Sequence, residues 1–147
     1  MVKILFETIA AFIGTIAFAI LYRVPKTQYI VCGLVGAAGW FIYDVAKIPW
    51  SPVAATFLAT LGIVLVARVL AIYRKVPVNV IMTPGIFPVV PGIAIYNTIY
   101  NMMIGDAQIG LNQGLEVLKL IGGIVLGMLV MFAIPNRVFR KIFGPRQ

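Results

Sequence analysis

The sequence contains no histidine, one cysteine and only four acidic residues among its 147 positions. Without histidine it lacks the commonest zinc ligand and the commonest general base. Cys32 alone cannot form an intrachain disulfide or a thiolate metal cluster. No two of the four carboxylates are spaced as an acid/base dyad, so the composition argues against an enzyme and predicts neither a cofactor nor a metal ion.

Charged residues of either sign are scarce, at 11% of the chain, whereas 62% of the residues are hydrophobic and the mean hydropathy is +1.05. Soluble domains carry about 25% charged and about 45–50% apolar residues, so a soluble domain is excluded. Apolar stretches of about 20 residues recur, the length that a helix needs to cross a bilayer. The sequence therefore predicts an all-α integral membrane protein. Its formal charge of +8 lies at the ends of these stretches, so no nucleic-acid partner is expected.

Five apolar segments organise the chain as a single transmembrane domain, residues 1–147. The predicted spans are residues 2–22, 27–46, 52–73, 78–104 and 111–134, followed by a basic cytoplasmic tail, residues 135–147. The first segment is too long for the apolar core of a signal peptide, and no small-residue cleavage site follows it, so we interpret it as a retained span. Ser51 before Pro52 is typical of a helix start, with the serine as the N-cap.

The lysines and arginines predict the direction in which the segments cross. If all five cross, one side of the membrane receives eight basic residues: Arg23, Lys26, Arg74, Lys75, Arg137, Arg140, Lys141 and Arg146. The other side receives only Lys3 and Lys47. Since basic residues concentrate in cytoplasmic loops, we expect the N-terminus outside and the C-terminus in the cytoplasm. A re-entrant fourth segment would abolish this bias, so that segment is expected to cross.

Two pieces of the chain, about fifty residues apart, resemble each other. Residues 19–44, "AILYRVPKTQYIVCGLVGAAGWFIYD", and residues 70–97, "LAIYRKVPVNVIMTPGIFPVVPGIAIYN", share a Tyr-Arg step, a Val-Pro step and similarly placed glycines. An offset of two spans gives both copies the same direction, in agreement with the topology. Because membrane transporters are often built from internal repeats, the pattern indicates a tandem two-helix repeat.

The second copy contains "TPGIFPVVPG", residues 83–92, with three prolines and two glycines. Each proline removes a backbone donor and disfavours helix at the residue before it. We therefore expect a helix from about residue 78, a non-helical link, and a second helix from about Gly92. The link is either a kink required by packing or part of a translocation path, because irregular backbone at membrane depth must be buried in protein or line a wet cavity. The helix end near Gly92 would suit a substrate carboxylate.

Polar side chains inside the apolar segments are further candidates for contact with a transported substrate. Asn97 and Asn101 share one helix face, and they either contact a substrate or bond to another helix. Arg68 either snorkels to the cytoplasmic interface or faces an anionic substrate. Asp44 matches Asn97 in the repeat and can relay protons. The candidate substrate path comprises Thr83, Pro84, Gly85, Pro88, Pro91, Gly92, Tyr96, Asn97, Asn101, Arg68, Asp44 and Lys119.

Two other acidic residues have simpler interpretations. Glu116 and Lys119 are three residues apart and either pair at the outer headgroups or expose a cation to the path. Glu7 is expected at the membrane interface.

These residues resemble the threonine/serine exporter family, in particular its small membrane subunit of the YjjB type. The resemblance rests on "FAILYRVP", "GLVGAAGW", "ATFLATLGIVLVARV" and above all "KVPVNVIMTPGIFPVVPGIAIY", and it covers about residues 12 to 100. It implies a multi-pass plasma-membrane subunit of a secondary exporter for small hydrophilic metabolites. In some members these are amino acids such as threonine and serine, and in others dicarboxylates such as succinate. Proton or ion coupling is implied by analogy.

The resemblance also implies a larger membrane subunit of the same family as the partner. A glycine-rich face on the second span (Gly33, Gly36 and Gly39) would suit close contact between chains, so a homo- or hetero-oligomer in the lipid bilayer is expected. The alternative is a structural subunit that stabilises the larger partner and has no substrate site of its own.

Overall fold

The computed structural model describes residues 2–135 and Phe139, and these residues form six α-helices without strands. The helices are α1 (Val2–Leu21), α2 (Tyr29–Ala46), α3 (Pro52–Arg74), α4 (Val78–Ile86), α5 (Gly92–Met103) and α6 (Ala107–Ala133). Four of them, α1, α2, α3 and α6, are long and apolar enough to cross a membrane, and α4 and α5 together form a pair bent by 53°. The prediction of an all-helical protein with a broken fourth segment is confirmed.

The helix starts follow from capping side chains. Ser51 Oγ accepts a hydrogen bond from the Ala54 amide at 3.4 Å, and Pro52 occupies the first turn, as the sequence predicts. Asp106 Oδ1 accepts from the Gln108 amide at 2.8 Å. This second cap starts α6 several residues earlier than the apolar pattern indicates, because the first turns of α6 are polar. The basic residues of the predicted tail from Arg137 onwards lie outside the described residues.

The glycines of α2 allow its two neighbours to approach closely. A Cβ at Gly36 would collide with Thr15 of α1, and a Cβ at Gly39 would collide with Ile63 of α3. At Gly33 it would lie 2.7 Å from a ring carbon of Phe12. The glycine-rich face that was expected to contact another chain therefore packs inside this one.

The bundle is completed by α4 and α6. Helix α4 packs against both α2 and α3, where a Cβ on Gly85 would lie 2.8 Å from Val35. Helix α6 also packs against α3, with Gly123 facing the Val53 carbonyl and Gly127 facing Thr60. Helix α5 packs chiefly on α6, so the bend carries the fourth segment from the centre of the bundle to its edge.

The turns after α1 and α3 have the same backbone geometry, which supports the repeat. Arg23 and Lys75 both adopt a left-handed conformation with φ of 54°. In each turn the next residue, Val24 or Val76, donates its amide to the carbonyl five residues earlier, at 3.0 and 3.2 Å, and a proline follows. Here the copies are related by an offset of 52 residues, from 23 to 75. Arg23 thus matches Lys75, one position beyond the arginine that the sequence comparison paired with it.

Candidate functional site

The proline-glycine stretch is more helical than its composition predicts. Helix α4 continues through Pro84 and Gly85, and only Val90 and Pro91 separate the following 3₁₀ turn, Phe87–Val89, from the start of α5. Pro84 cannot donate to the carbonyl four residues earlier, that of Val80. The Cys32 thiol of α2 donates to this carbonyl instead, at 3.6 Å. The freed backbone group is therefore satisfied by a neighbouring helix, as membrane depth requires.

Aromatic stacking fixes the position of the break against α1. The Phe87 ring stacks on Phe18 with centroids 4.0 Å apart, and its centroid lies 5.6 Å from that of Tyr22. Because Phe87 and Pro88 form the 3₁₀ turn at the end of α4, this contact places the irregular backbone beside α1 and α2.

A cavity of about 340 Å³ lies between α1, α2 and the break. Its walls are formed by Glu7, Ala10, Ala11, Gly14, Phe18, Trp40, Phe87 and Pro88. On α1 the lining extends from Glu7 to Phe18, eleven residue steps or about 16 Å along the helix axis. The volume is in the range of small-molecule sites, roughly 300–1,000 Å³. Most of the wall is apolar, and a carboxylate stands at one end.

That end of the cavity carries a cluster of charges. The Asp44 carboxyl of α2 lies near the Glu7 carboxyl of α1 and the Lys47 ammonium. Glu7 also pairs with Lys3 at 3.7 Å. Trp40 approaches Asp44 without hydrogen-bond geometry, since the indole Nε1 and Asp44 Oδ2 are both completely buried and have no hydrogen-bond partner. Two carboxylates and an unused indole donor thus meet where the cavity begins.

Two of the sequence-predicted path residues are at this cavity, and the others are elsewhere. Pro88 lines the wall, and Asp44 lies near the lining residue Glu7. Pro84 and Gly85 are buried between α2 and α3, whereas Thr83 is half-buried beside them in the chain. Pro91 is half-buried at the break, and Gly92 is exposed at the first position of α5.

The predicted residues of α5 face away from the cavity. Tyr96 is 65% exposed, Asn97 is exposed, and the Tyr96 and Tyr100 rings stack with centroids 6.1 Å apart. Asn101 instead donates its side-chain amide to Gln113 Oε1 of α6 at 2.7 Å, which is the interhelical bond considered as the alternative. The face of α5 that carries Tyr96, Asn97 and Tyr100 is called the α5 polar face below.

The two candidate cations are also away from the cavity. Arg68 is 2% exposed, and its guanidinium donates to the carbonyls of Met131 and Ile134, the latter at 2.8 Å. It also lies 4.1 Å from the Phe139 ring centroid. Arg68 therefore joins α3 to the end of α6. Lys119 is exposed on α6, and within the described part of the chain it forms no ion pair with Glu116.

Sequence reasoning missed Glu7, Trp40 and the Phe18–Phe87 stack. The expectation that Glu7 is merely interfacial overlooked its partner on α2. The antiparallel packing of α1 on α2 brings Thr15 against Gly36, and the same register brings position 7 against position 44. A helix pairing through the α2 glycines was the signal that could have found this contact.

The sequence matches a known protein family over most of its length. The family described as Threonine/Serine exporter, ThrE, matches residues 7–134. The chain belongs to the threonine/serine exporter family. The resemblance to this family that was inferred from the sequence is thereby confirmed. The family consists of transporters, and the apolar helices are those of a multi-pass membrane protein.

A curated relative is similar to this exporter-family chain. It is the "Probable threonine/serine exporter" of Mycobacterium tuberculosis (strain ATCC 25618 / H37Rv), 29% identical over 130 residues, which cover 84% of this chain and 25% of that protein. The chain thus spans about a quarter of the length of the relative. No solved structure matches this exporter-family chain.

Proposed function

We propose that this chain is a subunit of a secondary exporter of small hydrophilic metabolites, and that the cavity beside the break is part of its translocation path. The observation that carries the proposal is the meeting of three features at one place: the 3₁₀ turn with Phe87 and Pro88 at the break, a cavity of about 340 Å³, and the Glu7 carboxylate. Irregular backbone at membrane depth belongs in protein or beside a wet cavity, and charged groups there commonly mark transport pathways.

The proposed substrates are amino acids of the threonine/serine type or dicarboxylates such as succinate, moved outward with proton or ion coupling. Membership of the family and the name of the relative support amino-acid export. The carboxylates at the cavity further favour a substrate with an ammonium group over a dicarboxylate, because like charges repel at short range.

The proposed location is the plasma membrane, with the N-terminus outside and the C-terminus in the cytoplasm. This orientation would place Lys3, Glu7 and Asp44 at the outer end of the cavity and Arg23 and Lys75 at the cytoplasmic end of the bundle. The proposed partner is a larger membrane subunit of the same family, since the relative is about four times as long as the matched region.

A second candidate function is that of a stabilising subunit without its own substrate site. The α5 polar face favours it, because no residue of α5 is buried within the described structure and Asn97 is exposed. Amides and phenols in a span usually face protein rather than lipid. A partner helix covering this face would explain the polar composition of the face whether or not substrate passes through the cavity.

Filling the cavity tests the proposal. Gly14 lines the wall, and a Cβ placed there meets no atom within 4 Å, so a leucine side chain starts in open space and extends into the cavity. In cells preloaded with labelled threonine, serine or succinate, we expect Gly14→Leu to reduce efflux about tenfold or more. The chain is expressed with and without its presumed partner, and the abundance of each variant in the membrane is measured alongside.

Gly122→Leu is the matched control. Gly122 lies on α6 away from the cavity, and a Cβ there also meets nothing within 4 Å. It should export at the wild-type rate. Full efflux by Gly14→Leu at normal abundance would exclude the cavity as the path and leave the stabilising role.

A further inference from the structure

We propose that the cavity beside the break is a binding site for organic ammonium ions, that is, for compounds that carry a positively charged amine on an apolar body. Glu7 is the residue that selects the charge, and the aromatic part of the wall accepts the apolar body. The part that the cavity plays in export rests on the proposed function, whereas the class of ligand rests only on the chemistry of the wall. Amines that lack a carboxylate should therefore bind there too.

The wall of the cavity has one charged side chain among its eight lining residues. This residue is Glu7, and the other seven are alanine, glycine, proline, phenylalanine or tryptophan. The nearby charged residues Lys3, Asp44 and Lys47 are not among the lining residues. An anion in the cavity would meet a carboxylate of the same charge, whereas an ammonium ion meets an acceptor for charge-assisted hydrogen bonds. The charge of the wall therefore favours a cation.

The aromatic part of the wall suits an apolar body that carries a cation. The rings of Phe18, Trp40 and Phe87 line the cavity, and the faces of aromatic rings attract cations. The Trp40 Nε1 is completely buried, so the carbon atoms of the indole border the cavity rather than its N–H group. Phe18 and Phe87 stack with centroids 4.0 Å apart, which holds both rings in place. Aromatic walls are how proteins recognise alkylammonium groups such as choline and methyl-lysine.

The lining residues of α1 set the direction in which such a ligand lies. Glu7 is at one end of the lining, and Ala10 and Ala11 follow about one helical turn later. Gly14 comes one turn further, where a Cβ would meet no atom within 4 Å, and Phe18 is at the other end. These small residues leave room between the carboxylate and the stacked rings. A ligand with its ammonium group at Glu7 therefore extends along α1 towards Phe18.

Lys3 shows that the Glu7 carboxylate is accessible to an amine. The Lys3 Nζ lies 3.7 Å from Glu7 Oε1, whereas a charge-assisted hydrogen bond is about 2.7–2.9 Å long. The Lys3 side chain is 86% exposed, and ion pairs as exposed as this one are weak because water screens the charges. An incoming ammonium ion can therefore displace Lys3 at little cost. We infer that Lys3 competes with the ligand for Glu7.

Trp40 provides a readout of binding that does not depend on transport. The chain has two tryptophans, and Trp50→Phe leaves Trp40 as the only one. The purified Trp50→Phe protein is reconstituted in phosphatidylcholine vesicles and titrated at neutral pH with three probes of similar size: phenethylammonium, phenethyl alcohol and phenylacetate. We expect phenethylammonium to cause a saturable change in Trp40 emission. The affinity for the alcohol and for the anion should be lower by about tenfold or more.

A second tryptophan variant controls for probe that merely enters the bilayer. Trp40→Phe retains Trp50, which is 57% exposed between α2 and α3 and is not among the lining residues. Its emission should show no saturable change with any of the three probes. Saturation of the same strength in Trp40→Phe would place the binding outside the cavity and overturn the proposal.

Charge substitutions in the Trp50→Phe background identify the anion of the site. Glu7→Gln should weaken phenethylammonium binding about tenfold or more, whereas Lys3→Ala should strengthen it about two- to fivefold by removing the competitor. Glu116→Gln, at an exposed carboxyl of α6, should leave it unchanged. Binding that is unchanged in Glu7→Gln would overturn the proposal.

The three probes decide the matter if Glu7→Gln is not recovered folded. Trp40 emission that phenethylammonium does not change would overturn the proposal. Equal affinities for phenethylammonium and phenethyl alcohol would also overturn it, because the cavity would then be an apolar groove that does not select charge. Binding of phenylacetate at least as tight as that of phenethylammonium would overturn it as well.

Gly14→Leu separates this proposal from the proposed path. In the Trp50→Phe background the leucine should abolish phenethylammonium binding, and binding that survives would place the site elsewhere and overturn the proposal. If Gly14→Leu loses this binding and still exports at the wild-type rate, the ammonium site stands and the path fails. If Gly14→Leu blocks efflux while Trp50→Phe binds no phenethylammonium, the path stands and the class of ligand is wrong.

Discussion

Single residues decide whether the broken segment is compatible with a membrane. Pro84 removes the amide that would bond to the Val80 carbonyl, and Cys32 supplies the missing donor from another helix. Cys32 is completely buried, so the thiol is held where the carbonyl needs it. The only cysteine of the chain is thus explained by a proline 52 residues away, without redox or metal chemistry.

A double-mutant cycle tests this explanation. Cys32→Ala leaves the Val80 carbonyl without a donor, and we expect it to lower the free energy of unfolding in detergent by about 1 kcal/mol or more. Pro84→Ala restores the backbone amide, so Cys32→Ala should cost much less in that background. Cys32→Ser retains a donor and serves as the control. Equal costs of Cys32→Ala in both backgrounds would contradict the explanation.

The helices show which features the sequence could predict. The all-helical fold, the Ser51 cap and the break followed from hydropathy and from proline chemistry, because these act within a few neighbouring residues. The helicity of α4 through Pro84 could not be predicted, since it depends on a donor from α2. The proximity of Glu7 and Asp44 needs one step more than local patterns, because it depends on the register that Thr15 and Gly36 impose between two helices.

The turns after α1 and α3 store the same local strain. Arg23 and Lys75 hold a left-handed conformation that glycine adopts without steric cost. The repeated geometry shows that the capping hydrogen bonds at these two turns outweigh this strain. Each turn places a basic residue at the same end of the bundle, in agreement with the charge bias that predicts the topology.

Glycine substitutions at two adjacent basic residues should change the stability of the protein in opposite directions, because one residue lies in the left-handed turn and the other at the end of the helix. Lys75→Gly should raise the free energy of unfolding by about 1 kcal/mol, because the left-handed backbone is retained without strain. Arg74→Gly, at the last residue of α3, should lower it by about 0.5–1 kcal/mol, because glycine weakens a helix. Both changes remove one positive charge, so electrostatics are matched. Thermal or denaturant unfolding in detergent measures both, and effects of the same sign would contradict this account of the turn.

The whole molecule has two different kinds of outer surface. The exposed side of α1 is formed by apolar residues such as Leu5, Phe6 and Ile9, as expected where a helix faces lipid. The α5 polar face has phenols and an amide in the corresponding place. Together with the length of the relative, this contrast supports an assembly in which further protein covers α5. The cavity beside α1, by contrast, is built entirely within this chain.

The central claim, that the cavity beside the break conducts substrate, is tested most directly by the reactivity of a thiol placed in its wall. In a Cys32→Ser background, Gly14→Cys should react with a small water-soluble thiol reagent in membranes, since only a hydrated thiol ionises and reacts readily. Threonine or another exported substrate should slow this reaction. Gly122→Cys, outside the cavity on α6, should react slowly and without any effect of substrate. A Gly14→Cys thiol that stays unreactive, or that reacts at a rate no substrate changes, would contradict the account.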